Sequence, residues 1–170
     1  MRYYFEEDEK RIFHRTTITR SQWITFAVYI LISIALIHYP WVNVVNEGQW
    51  LARYIFLTHI IFYVVHRQFK NLNLFLLWLG VGVMHIWMSF QIKDDFPDWG
   101  NRFQFTIPIL LLLQVLRLIS YGIIKDDFAV PSRFSRVDID GRRNVKLWDF
   151  VILLAYFGLL FYLPLRYKLY

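Results

Sequence analysis

Five runs of apolar residues, separated by shorter polar segments, dominate this chain of 170 residues. The runs cover Gln22 to Trp41, Leu51 to Val65, Leu72 to Ile92, Phe105 to Ile124, and Trp148 to Leu165. A helix needs roughly 20 residues to cross a hydrocarbon core about 30 Å thick. The first, third and fourth runs reach that length, and the fifth is slightly shorter. The pattern predicts an all-α protein, a polytopic transmembrane helical bundle of about five spans.

The composition supports a membrane environment. Hydrophobic residues make up 57% of the chain and aromatic residues 20%, which is more apolar than a typical soluble domain. A small soluble protein has too much surface for its volume to bury so many large apolar side chains. A lipid solvent removes that difficulty.

The second run is the weakest candidate span, because it is short, carries Arg53 near its start and is stopped by His66 and Arg67. Basic residues concentrate in the cytoplasmic loops of membrane proteins. If the second run crosses, thirteen Lys and Arg lie on the N-terminal side of the membrane and four on the other side, with Arg53 and Arg117 inside spans. If it does not cross, each side holds nine. The bias therefore favours five spans, with the N-terminus inside and the C-terminus outside.

This topology divides the chain into three parts. Residues 1–21 form a cytoplasmic N-terminal segment, residues 22–165 form a single five-helix transmembrane domain, and residues 166–170 form a short outer tail. The loop 125–147 is cytoplasmic, and its Pro131 and its Asp140-Gly141 step are typical of turns. The polar start of the chain does not resemble a cleavable signal peptide, so the first span is expected to remain in the mature protein.

The net charge of +6 is explained by the same topology. Nucleic-acid binding is not expected, since the chain has no basic helix or platform of aromatic and basic residues. The arginines of the cytoplasmic loop are expected to contact anionic lipid or an acidic partner protein. They are Arg133, Arg136, Arg142 and Arg143.

A polar stripe marks the fourth run. Gln114, Arg117 and Tyr121 follow each other at helical spacing, and an ionisable side chain inside a span is costly. We expect Arg117 to form a structural ion pair with Asp149, which lies in the first turn of the fifth span. A role in proton or ion passage and snorkelling of Arg117 to the head groups are the alternatives.

Two histidines lie at similar depth in the second and third spans. His59 and His85 are each about 10 to 12 Å from the outer border, counted at 1.5 Å per residue. The default interpretation is that each imidazole bonds a polar group across a helix interface. Ligation of a haem b is the alternative. No metal site is predicted, because two such ligands do not make a zinc site and the Asp138 to Asp140 segment lacks the further ligands of a calcium loop.

The sequence contains no set of residues whose spacing supports catalysis, and the absence of cysteine excludes thiolate chemistry. The leading hypothesis is a non-catalytic multi-pass membrane subunit that anchors or assembles a larger complex with other subunits or with copies of itself. The alternatives are a haem b or quinone-side electron-transfer subunit, and a small oligomeric channel or transporter. The expected location is a bacterial inner membrane, with an organellar inner membrane as the alternative.

Overall fold

The computed structural model describes residues 13–38, 47–92, 102–131 and 144–166. Within these ranges the chain forms α-helices and no strand, so the all-α prediction is confirmed for this part of the protein. A 3-10 helix, His66–Lys70, connects the second α-helix to the third. The five α-helices are α1 (Arg20–His38), α2 (Glu47–Val64), α3 (Leu72–Ile92), α4 (Thr106–Ile124) and α5 (Leu147–Arg166).

Two of these helices, α3 and α4, are long and apolar enough to cross a membrane. In the other three the apolar part is shorter, and it covers Arg20–Leu36, Arg53–Val64 and Leu147–Tyr162. The structure therefore supports five helices, while length and composition identify two candidate spans rather than the five that were expected.

Local sequence signals set several helix ends. α1 begins with a capping box, in which the Thr19 N–H donates to Gln22 Oε1 at 3.0 Å and the Gln22 N–H donates back to Thr19 Oγ1 at 3.4 Å. α4 ends at Ile124 and is capped by Lys125, whose φ of 59° is left-handed and whose N–H donates to the Tyr121 carbonyl at 3.1 Å. These signals fix where each helix stops and how the loop leaves it.

The helices share one apolar core with α4 near its centre. α4 packs against α2, α3 and α5, and α1 packs against α3. Aromatic rings make many of the contacts: Phe26 of α1 meets Trp78 of α3 with centroids 5.8 Å apart, and Tyr63 of α2 stacks on Tyr156 of α5 at 4.9 Å. The polar side chains described below are held inside this packing.

Three segments that are distant in sequence meet at one end of the bundle. The His14 N–H donates to the Lys70 carbonyl at 3.0 Å, and the Leu72 N–H donates to the His14 carbonyl at 2.9 Å. Lys70 Nζ lies 2.7 Å from Asp127 Oδ2. The residues before α1, the connection between α2 and α3, and the loop after α4 therefore lie together, and we call this the shared end.

The opposite end is held by a smaller apolar cluster. It combines the beginning of α2, the end of α3 and the residues just before α4, and it contains Leu51, Ile55, Met88, Ile92 and Phe103. Consecutive helices α2, α3 and α4 therefore alternate in direction.

Large apolar side chains point outward on every helix. Leu31, Leu57, Val83, Ile123 and Leu154 are examples, with exposed fractions of 66%, 55%, 61%, 54% and 72%. The outer faces of the bundle are thus apolar, while many of its buried positions are polar.

Candidate functional site

His59 and His85 meet at the beginning of α4. Nδ1 of His85 lies 2.7 Å from Thr106 Oγ1, and Nε2 of His59 lies 3.5 Å from the same oxygen. All three side chains are buried. The structure thus brings the two histidines of the sequence analysis to one hydroxyl.

The second ring nitrogen of His85 contacts two tyrosines. Its Nε2 lies 3.0 Å from the hydroxyl of Tyr29 and 3.3 Å from that of Tyr54. Tyr29 also lies 3.0 Å from the hydroxyl of Thr58, and Tyr54 makes a short hydrogen bond with Ser33. The hydroxyl–imidazole cluster is the set of these seven side chains, Tyr29, Ser33, Tyr54, Thr58, His59, His85 and Thr106.

The chemistry of this cluster is that of a mutually satisfied network. A hydroxyl can both donate and accept, so a neutral imidazole finds a suitable partner at either nitrogen. An iron atom at His85 would have to displace Thr106 on one side or the tyrosines on the other. The arrangement therefore agrees with hydrogen bonding across helix interfaces, and it gives the haem hypothesis no support.

Arg117 lies in a second polar centre, at the shared end. Its Nε donates to Asp127 Oδ1 at 3.1 Å, and its Nη1 donates to Gln114 Oε1 at 2.6 Å. Lys70 binds the other oxygen of Asp127 at 2.7 Å. Because Arg117 and Asp127 are only 1% and 2% exposed, these contacts form an ion cluster inside the protein. We call Lys70, Gln114, Arg117 and Asp127 the Asp127 cluster.

Asp127 stays ionised in this position. Burial opposes its negative charge, but the neighbouring Arg117 and Lys70 outweigh burial and hold the pKa of the carboxyl below its usual range. The Phe13 ring lies 5.6 Å from Cζ of Arg117 and covers the guanidinium. The residues before α1 therefore help to close the cluster.

From the sequence we expected Arg117 to pair with Asp149, but in the structure Arg117 pairs with Asp127. Asp149 accepts the N–H of Ala129 on Oδ1 at 2.8 Å and the N–H of Lys146 on Oδ2 at 2.7 Å. It thus caps the start of α5 and ties the loop after α4 to that helix. Arg117 is paired by Asp127 instead, because the chain folds back over the end of α4 directly after Lys125.

An apolar layer separates the two polar centres. Thr106 and Arg117 are eleven residues apart on α4, or about 16 Å at 1.5 Å per residue. Between them lie buried Leu110 and Leu113, and Phe62 and Trp78 from the neighbouring helices join the same core. The two centres therefore form separate polar sites in the described part of the bundle.

Sequence reasoning missed several residues of both centres. Asp127 follows α4 by only a few residues, and its importance depends on a chain reversal that Lys125 makes. Tyr29 with Ser33, and Tyr54 with Thr58, are polar pairs at a spacing of four residues inside apolar runs. That spacing was a usable signal for side chains facing protein rather than lipid. The loop residues Arg133, Arg136, Arg142 and Arg143 lie outside the residues that the structure describes.

Comparison with known proteins assigns no family: no protein-family model matches the chain, and neither the curated proteins nor the solved structures contain a match. Any function must therefore be inferred from the fold and its two polar centres.

Proposed function

We propose that this chain is a non-catalytic membrane subunit that crosses the bilayer five times and anchors or assembles a larger membrane protein complex. The observation that carries the proposal is the distribution of polarity. Large apolar side chains face outward on all five helices, whereas Arg117, Asp149 and His85 have exposed fractions of 1%, 0% and 0%. Water would penalise that outer surface, and lipid would not.

The contacts at the shared end support a crossing by α2. His14 is hydrogen-bonded to the connection between α2 and α3, so the start of α1 and the end of α2 belong on the same side of a membrane. If α1 crosses, α2 must return the chain. Shorter apolar segments such as Arg53–Val64 can be accommodated by local thinning of the bilayer or by oligomerisation.

The charges favour a cytoplasmic location for the shared end. Arg15, Arg20, Lys125 and Lys146 are exposed there or next to it, in agreement with the positive-inside rule. In the proposed topology the N-terminus and the loop 125–147 lie on the cytoplasmic side of a bacterial inner membrane, where basic residues also contact anionic lipid.

A structural rather than a catalytic role is supported by the pairing of the buried polar groups. In both polar centres the side chains bond to one another and to backbone groups, and each centre lies within packed side chains. Such networks set helix register and stability. The exposed apolar helix faces and the cytoplasmic loop are then the surfaces available to other subunits or to copies of the chain.

The two alternatives receive less support. Electron transfer through haem would require His85 to leave its hydroxyl partners, and passage of ions would require the layer around Leu113 to open. A visible spectrum with a Soret band that disappears in His85→Ala would favour the first alternative over the proposal.

The direct test is capture of the assembly. The tagged chain is cross-linked in its native membrane, extracted in mild detergent and purified, and the bound proteins are quantified by mass spectrometry. We expect one or more membrane proteins, or further copies of the chain, in near-stoichiometric amount. Recovery of the chain as an isolated monomer after cross-linking would contradict the proposal.

A further inference from the structure

His66, the first residue of the 3-10 helix, binds two carbonyl groups at once. Its Nδ1 lies 2.8 Å from the Tyr63 carbonyl oxygen, and its Nε2 lies 2.9 Å from the Phe128 carbonyl oxygen. The imidazole also stacks on the Phe128 ring, with centroids 3.8 Å apart and planes 12° from parallel. The side chain thus joins the end of α2 to the loop after α4 while only 1% exposed.

The two partners determine the protonation that this geometry requires. A carbonyl oxygen can only accept, and a neutral imidazole carries a single N–H. A neutral His66 would therefore aim the lone pair of one nitrogen at an oxygen less than 3 Å away. The imidazolium has two N–H groups and satisfies both carbonyls. His85 offers an internal contrast, because its partners are hydroxyls that can adapt to a neutral ring.

The surroundings contain influences of both signs. Burial is the largest influence, and together with the positive charges of Arg67 and Arg117 it outweighs the groups that favour the charged ring, so that all of these influences combined lower the pKa of His66 to about 4. The Tyr63 carbonyl and the Asp127 carboxylate favour the charged ring. Lys70 faces the same carboxylate. The Phe128 carbonyl, which faces Nε2 while the Tyr63 carbonyl faces Nδ1, decides between these forms, because a neutral ring would aim the lone pair of one nitrogen at a carbonyl oxygen inside the protein.

We propose that His66 is an imidazolium in the folded protein and that its two N–H groups bind the end of α2 to the loop after α4. We call this pair of hydrogen bonds the latch. This latch holds Phe128, whose neighbours Asp127 and Ala129 bind Lys70 and the Asp149 carboxylate respectively. Loss of the proton removes one of the two hydrogen bonds and loosens the segment that positions the Asp127 cluster. The latch follows from side-chain geometry alone and does not depend on the proposed membrane role.

The latch predicts a definite sign for the pH dependence of stability. A charged His66 that is held by two carbonyls has a folded-state pKa above that of the unfolded chain, which is about 6.5. Its stabilising effect is then complete below about pH 6.5 and is lost as the pH rises through the folded-state value. A neutral buried histidine has the opposite sign, since acidification would then destabilise the fold.

The experiment compares thermal unfolding of the whole purified chain and of His66→Gln at about pH 6 and about pH 9. Gln can donate to one carbonyl but carries no charge. We expect the Tm difference between the two proteins to be larger at the lower pH by about 3 °C or more. His85→Gln serves as the control, and its Tm difference should not widen on acidification. A Tm difference between the wild type and His66→Gln that is the same at both pH values, or that is larger at the higher pH, would overturn the proposal.

A second measurement needs no stable variant. Nitrogen NMR of the histidine-labelled wild-type chain at about pH 7.5, well above the ordinary histidine pKa, distinguishes an imidazolium from either neutral tautomer. Among the five histidines, the one in contact with a labelled Phe128 should carry protons on both ring nitrogens. A neutral ring at that position would contradict the latch.

Discussion

At the scale of single residues, the most consequential contact is the one between Arg117 and Asp127. Both side chains are almost completely buried, and their nearest ion-pairing atoms are 3.1 Å apart. A buried charge that loses its partner is strongly destabilising, even where the intact pair adds little net stability. The cluster is therefore sensitive to one-sided changes, and a double-mutant cycle can detect this.

The first prediction is that Arg117→Leu and Asp127→Leu are not additive. Asp127→Leu should lower the free energy of unfolding by about 3–5 kcal/mol, because it removes the carboxylate that Arg117 and Lys70 share. Arg117→Leu should cost less, because Asp127 keeps its ion pair with Lys70 at 2.7 Å. The double change should lower the free energy of unfolding by less than the sum of the two single changes. Chemical denaturation in detergent micelles measures this coupling.

The corresponding cycle between Arg117 and Asp149 is the control. Asp149 accepts hydrogen bonds from the backbone N–H groups of Ala129 and Lys146. The losses in the free energy of unfolding caused by removing Asp149 and by removing Arg117 should therefore be additive. Additivity for Arg117 with Asp127, together with coupling for Arg117 with Asp149, would show that the pairing described above is wrong.

The second prediction concerns Tyr156, whose hydroxyl donates to the His59 carbonyl at 2.6 Å and links α5 to α2. Tyr156→Phe should lower the free energy of unfolding by about 1 kcal/mol, because one buried hydrogen bond is lost. The matched control is Tyr162→Phe on the same helix, where the side chain is 53% exposed. Equal effects of the two changes would indicate that the bond to His59 contributes nothing.

At the scale of helices, the apolar runs predicted the positions of the helices well, but they did not predict which polar residues contact each other. α3 occupies the predicted run Leu72 to Ile92, and α4 begins one residue later than its predicted run. The reason is that apolar length and helical spacing are local properties. The choice between Asp127 and Asp149 as the partner of Arg117 depends on the path of a loop, which no local pattern specifies.

The third prediction tests the packing of α3 on α4. A Cβ atom on Gly82 would lie 2.5 Å from Cγ1 of Ile107, whereas a Cβ on Gly80 meets nothing within 4 Å. Gly82→Ala should therefore destabilise the bundle by about 1–3 kcal/mol through overpacking. Gly80→Ala on the same helix should be neutral or stabilising, because Ala favours a helix over Gly by about 1 kcal/mol. If both changes stabilise the protein, the two helices are not packed as closely as the structure indicates.

At the scale of the whole molecule, the described contacts and the charge pattern group the same three segments of the chain. Contacts from His14 and from Lys70 and Asp127 place three segments at one end of the bundle. The Lys and Arg count predicted the same three segments on one side of a membrane. The sequence could not predict the composition of the two polar clusters, since the Asp127 cluster combines residues from three separate segments and the hydroxyl–imidazole cluster combines residues from four helices.

The central claim is the five-span topology, and the chain is well suited to test it because it has no cysteine of its own. A single cysteine is introduced at Lys146, which is exposed beside the start of α5, or at Asp98, between α3 and α4. Intact cells are then treated with a membrane-impermeant thiol reagent. The five-span topology predicts labelling at position 98 and protection at position 146, with labelling of both after the cells are opened. If α2 did not cross, position 146 would be labelled and position 98 protected in intact cells, and that result would contradict the topology.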